Sequence, residues 1–188
     1  LRSPEISVKA ITTVAGNAEV QKCTRNVNII LDLLQPPDRP MVAQGAAKPL
    51  RKGLVTAPEV HGTDGLGNVV RRLRLPGTYL KSAVPVILQQ CKQYGKKLTI
   101  IALGPLTNLA TALKKNSRIF RKVGKIVSMG GAFRVPGNTG PVSEFNYFVD
   151  PDAAQILMNS NLPMTVIPLD VTEQIVLMRR EVEYRARR

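Results

Sequence analysis

Residues 98–115 read LTIIALGPLTNLATALKK, and this stretch decides the fold. Its first half, 98–103, is a short apolar run with β-branched residues, as a strand buried in a sheet requires. Gly104-Pro105 ends the run, and Leu106 begins a segment with helical character that reaches Lys115. A strand that feeds directly into a helix is the repeating unit of parallel α/β sheets. The same alternation extends in both directions. Towards the N-terminus, 6–14 reads as a strand closed by Ala15-Gly16-Asn17. Asn17 is placed to cap a helix over 18–34, where Val20, Cys23, Val27, Ile30, Leu31 and Leu34 recur at helical spacing. Pro36, Pro37 and Pro40 break that helix before a short strand over 41–43. Residues 44–78 read as loop, a length that in a compact domain serves function or moves. Residues 79–94 read as helix, with Pro85 implying a kink or a late start. Towards the C-terminus follow a strand over 126–129, a helix over 152–159 entered through Pro151, and a strand over 164–169. The expected fold is α/β: an open, mostly parallel sheet with helices on both faces, in a single domain over 1–188.

Composition narrows the function. The chain has 188 residues, 44% of them hydrophobic, enough for a sizeable core. No window approaches the roughly 18 apolar residues of a membrane span, and LRSPEIS at the start has no signal-peptide pattern. Two cysteines and one histidine cannot assemble a Cys/His zinc site, so Cys23 and Cys91 read as free thiols of a cytoplasmic protein. The net charge of +14 raises nucleic-acid binding. Its clusters (Arg71 to Arg74, Lys114 to Lys125, Arg179 to Arg188) carry few interleaved aromatics and no nucleic-acid motif, so solvated surfaces account for most of it.

In parallel α/β sheets, ligands bind beyond the carboxyl ends of the strands. Those ends here are Ala15 to Asn17, Gly104 to Asn108, Met129 to Gly131, and Asp170, each carrying glycine, a polar group or both. His61, the one imidazole, lies in the glycine-rich run VHGTDGLG (60–67). In EFNYFVDPDAA (144–154), Glu144 and Asn146 share one face if the segment is extended, and an acceptor beside an amide suits sugar hydroxyls. Asp150 and Pro151 read as the cap and first turn of the next helix.

ITTVAGN (11–17), VHGTDGLG (60–67), LGPLTNLA (103–110), MGGA (129–132), Gly137-Asn138 and EFNYFVDPDAA (144–154) stand in the order found in inosine/uridine-preferring nucleoside hydrolases, and the chain resembles that family from its start to LDVT at 169–172. The resemblance implies a hydrolase that splits a ribonucleoside substrate into base and ribose, in purine and pyrimidine salvage. A calcium ion (Ca2+) would hold the ribose diol and a water, with an aspartate as general base and an oxocarbenium-like transition state. Carried over by position, Asn17, Asn138, Glu144 and Asn146 are substrate-binding. Met129 packs under the sugar, His61 stands on the base side, and the backbone carbonyl of Thr107 is a calcium ligand. The resemblance also implies a homodimer or homotetramer. The family's Asp-rich DxDPGxDD motif is expected upstream of Leu1, and its His-Asp pair beyond Arg188. The chain therefore reads as a portion truncated at both ends, with no catalytic residue of its own and expected to be inactive alone. The rival readings are a non-catalytic ribose- or nucleoside-binding relative and a basic nucleic-acid-binding protein. Neither nucleic acid nor membrane is the expected partner.

Overall fold

The computed structural model of the chain describes residues 3–69 and 82–186. In chain order the elements are β1 (Ala10–Thr12), α1 (Val20–Leu34), β2 (Met41–Ala43), α2 (Pro58–His61), α3 (Ala83–Tyr94) and a 3-10 turn (Gly95–Lys97). They continue with β3 (Thr99–Ala102), α4 (Thr107–Lys115), α5 (Ser117–Phe120), β4 (Lys125–Met129), α6 (Phe145–Val149) and α7 (Pro151–Met158). The last are β5 (Met164–Ile167), α8 (Leu169–Thr172) and α9 (Arg179–Ala186). The α/β alternation read from residues 98–115 is the architecture observed.

Every described strand pair is parallel. β1 pairs with β2, and β3, β4 and β5 follow one another in a second ladder, with Thr99 opposite Lys125 and Ile126 opposite Met164. The expected single open sheet is thus present as two ladders. A side chain joins them: Asn108 of α4, buried, donates from Nδ2 to the Thr13 carbonyl (2.8 Å) and accepts the Ala46 N–H on Oδ1 (2.9 Å). A Cβ at Gly45 would collide with both the Thr13 carbonyl and this amide, so close approach requires glycine there.

The core lies between the three-stranded ladder and helices α3, α4 and α7. Val86, Ile87 and Cys91 of α3 meet Leu109 and Leu113 of α4, and Ala153, Ala154 and Leu157 of α7. Phe120, Val123 and Ile126 seal the base. Burial pushes the Cys91 thiol up to about 11, as expected for an inert core cysteine. The opposite face of β3 differs from the buried strand anticipated: Ile101 is 59% and Leu103 75% exposed, with no described element packed over them.

Element boundaries follow local chemistry. Gln35 ends α1 in a left-handed conformation and donates its N–H to the Leu31 carbonyl, just before Pro36 stops the chain. Pro85 is the third residue of α3, inside the first turn, where a missing N–H is harmless. Late start, not kink, is the outcome. The start expected at residue 79, and Arg71, Arg72 and Arg74, lie outside the described residues. β1 is shorter than the 6–14 expected, yet its pairing continues from Thr13 N–H to Ala43 carbonyl (3.0 Å) and Ala15 N–H to Ala46 carbonyl (2.9 Å). No described helix is long and apolar enough to cross a membrane.

Candidate functional site

The carboxyl ends of the strands gather the polar groups. At β4 the chain turns through Gly130-Gly131, and a Cβ on Gly130 would run into the ring of Tyr147. Tyr147 reaches back with its hydroxyl to Ser128 Oγ (3.0 Å). Burial raises its ionisation above the usual tyrosine value, the Ser128 contact opposes this, and the charge of Glu144 adds to it.

Only Glu144 of EFNYFVDPDAA is extended and the helix begins at Phe145, which corrects the premise that put Glu144 and Asn146 on one strand face. Glu144 is the N-cap of α6, and Asn146 is the second residue of that helix. The two side chains still converge, for a different reason. Only 3% exposed, Glu144 accepts the N–H groups of Asn146 (3.0 Å), Tyr147 (3.2 Å) and Gly131 (3.2 Å). Asn146 Nδ2 reaches the Met129 carbonyl and sulfur, each at 3.2 Å. Asn138 Oδ1 accepts the Phe145 N–H at 2.9 Å. Met129, Asn138, Glu144 and Asn146 are therefore brought together at the end of β4.

Asp150 caps α7 through the Ala153 N–H (3.0 Å), and Pro151 opens that helix, as the sequence implied. The same buried carboxylate also takes the Leu50 N–H (3.0 Å) and the Thr107 hydroxyl (2.6 Å), contacts invisible in the sequence. Thr107 is the first residue of α4, and its carbonyl accepts the Thr111 hydroxyl at 2.7 Å.

Asn17 does not cap α1: the N-cap is Glu19, without a side-chain bond. The reason is that Ala18 and Glu19 continue the turn before the helix begins. The Asn17 side chain is exposed, and its carbonyl accepts the Ala57 N–H (3.0 Å). Ala57 in turn accepts the His61 N–H (3.0 Å), so Asn17 and His61 belong to one local unit on the β1 side. Its loop is firmly held. Arg25 and Asn26 of α1 both donate to the Asp64 carbonyl (2.7 and 2.9 Å), while the Asp64 carboxylate takes the N–H groups of Leu66 and Asn68.

Sequence reasoning missed two residues as members of the site. Asn108 was legible as a polar residue in the first turn of α4, but its reach to Thr13 was not. Asp170 was noted as a strand end only. Its carboxylate accepts the N–H groups of Phe133 (2.9 Å) and Arg134 (2.8 Å), pinning the chain that leads from Gly131 to Asn138. Those backbone donors, Phe133 first, hold its ionisation below the usual aspartate value.

Among the described residues no group of three or more His, Cys, Asp or Glu could hold a metal. Calcium takes about 6–8 oxygens, carboxylates prominent among them. Glu144 and Asp150 are already occupied by N–H groups and the Thr107 hydroxyl, so the described residues do not fit the ion.

A parallel α/β domain with a wired polar cluster at its strand ends is the architecture of a ligand-binding or catalytic α/β protein. Its family is specific. Residues 1–188 match the inosine-uridine preferring nucleoside hydrolase family, and the chain belongs to it. It is 41% identical over 187 residues to the pyrimidine-specific ribonucleoside hydrolase RihA of Enterobacter sp. (strain 638), covering 97% of this chain and 58% of that one. Uridine nucleosidase 1 of Arabidopsis thaliana is 39% identical over 177 residues, covering 94% and 52%. Among solved structures, a purine-preferring ribonucleoside hydrolase from Gardnerella vaginalis superposes with a TM-score of 0.89 at 38% identity, covering 96% of this chain and 58% of that one. The plant nucleoside hydrolase PpNRh1 gives 0.90 at 36% identity, covering 96% and 57%. The chain thus spans a little over half the length of these relatives.

Proposed function

We propose that the protein acts on ribonucleosides as an N-ribohydrolase, releasing base and ribose, and that this chain supplies the grip on the ribose. The observation that supports this reading is the set of valences left over at the end of β4. A carboxylate offers about four acceptor positions, and Glu144 uses three on N–H groups. Asn146 commits its amide nitrogen to Met129 and keeps its oxygen. Asn138 commits its oxygen to Phe145 and keeps its nitrogen. Acceptors and a donor side by side match sugar hydroxyls, which both donate and accept. Their fixed positions suit orientation of the sugar before its glycosidic bond breaks. The named relatives act on pyrimidine ribonucleosides, uridine and purine ribonucleosides, so ribose is the shared feature that the proposal commits to. Because the described residues do not fit calcium, no step of the proposal runs through that ion.

Titration calorimetry with uridine, inosine and ribose, with calcium present and absent, tests the reading, with chromatography for released base. Saturable binding of nucleoside is expected, weakened about 3- to 10-fold by Asn146→Ala, the worth of one hydrogen bond. Unchanged affinity in that variant removes Asn146 from the site. Release of base is measured on a protein extended to the full length of its relatives, and binding there without any release identifies the non-catalytic binder instead.

A further inference from the structure

The amino end of the β3–β4–β5 ladder, opposite the candidate site, carries one sign of charge among the described residues. Between Asp64 and Glu144 the sequence contains no Asp or Glu at all. α4 runs back from the strand ends and closes on Lys114 and Lys115. The 3-10 turn before β3 carries Lys96 and Lys97, and β4 is entered through Lys122 and Lys125. These segments form one surface: the N–H groups of Gly124 and Lys125 both donate to the Leu98 carbonyl (3.0 and 3.2 Å). Arg121 bridges from there to the Ser160 carbonyl beyond α7 (2.9 Å). All six lysines are exposed, as are Arg118 and Arg121 between them. The ion pairs among the described residues lie elsewhere, at Lys22–Glu19, Arg39–Asp32, Arg51–Asp152 and Arg179–Glu183.

An ordinary solvated face mixes both signs. One that gathers uncompensated cations concentrates polyanions by its field. The chemistry of the face selects among polyanions. Stable peripheral membrane binding combines cations with apolar side chains that insert, and a protein interface needs an apolar centre. No large apolar side chain is exposed between Lys92 and Leu98 or between Leu113 and Ile126. A chain of phosphates asks only for positive charge at intervals. Phe120 is buried in the core, so it offers no platform for base stacking. We propose that this basic end binds the phosphate backbone of nucleic acid without reading its sequence. The sequence already groups Lys114 to Lys125 as one cluster on a solvated surface, and the tertiary structure adds Lys96 and Lys97 to it.

The test is fluorescence anisotropy of the chain with a single-stranded RNA 20-mer and a DNA duplex, beside co-sedimentation with phosphatidylserine vesicles, at increasing salt. The key variant changes Lys96, Lys97, Lys122 and Lys125 to Gln. The control removes equal charge elsewhere by changing Lys48, Arg51, Arg179 and Arg180 to Gln. Circular dichroism confirms that both fold, and single Lys96→Gln and Lys122→Gln substitutions serve if the fourfold variant does not. Nucleic-acid affinity is expected to fall steeply with salt. The key variant should bind at least about tenfold more weakly, with a logarithmic salt slope shallower by about 3 for the single strand, and the control within about twofold of the parent. Equal weakening in both variants reduces the effect to net charge and overturns the proposal. So does absence of binding at about 50 mM salt, or tight binding to vesicles alone. The readout needs no hydrolysis, so it stands or falls apart from the nucleoside reading. An RNA-to-DNA difference shows which backbone is preferred.

Discussion

The two ends of the β3–β4–β5 ladder are made by different means. At the carboxyl end, polar side chains are few and tied to backbone N–H groups: buried Glu144 holds three, and the more exposed Asp170 two. At the amino end, charged side chains are exposed, many, and unpaired among the described residues. Buried polar groups must be satisfied and so become fixed in place. Exposed lysines remain in water and act through their summed field. The first arrangement suits the proposed grip on a small molecule, and the second the proposed attraction of a large one.

The comparison is most directly broken at Glu144. Glu144→Ala would leave the N–H groups of Gly131, Asn146 and Tyr147 without their acceptor. A loss of about 2–4 kcal/mol in denaturant unfolding is expected, combining a lost cap with unsatisfied buried donors. A loss below about 0.5 kcal/mol, the size of an ordinary surface change, would mean that this end is no more fixed than the other.

An intermediate effect is expected at Asp170. Its folded-state ionisation is lowered, so its contribution is fully present above the usual aspartate value and is lost as pH falls through the depressed folded value. Asp170→Asn should therefore flatten part of the fall in melting temperature on acidification below about pH 4. A melting curve that keeps the parent's acid dependence would remove Asp170 as the clamp on Phe133 and Arg134.

The smallest effect belongs to the basic end. Lys96→Ala with Lys122→Ala should change stability by no more than about 0.5 kcal/mol, and in the stabilising direction at low salt, because like charges are relieved. A clear destabilisation would show hidden pairing and blur the contrast between the ends.

Much of this was legible in the chain, but not all of the reasons. EFNYFVDPDAA was readable as a joint at Asp150-Pro151 because capping acts over three or four residues. The sequence reading takes it as extended before that point, because the N-cap of α6 is Glu, where Ser, Thr, Asp or Asn is the familiar signal. Asn17 was over-read as a cap because turn geometry allows two extra residues before α1 starts. Asn138, Glu144, Asn146 and Met129 were named from motif order, and the structure brings all four together.

By itself the sequence determined the alternation of strands and helices, the stops at Pro36 and Gly104, the helix start at Pro151 and the family. Each rests on spacing within a few residues or on motif order. Only the tertiary structure decided that Asn108 joins two ladders across 95 residues of chain, that Asp150 holds Leu50 across 100, and that the Lys96-Lys97 turn adjoins the entry to β4. Propensity and capping are local energies, whereas contacts at such separations exist only once the whole core has packed.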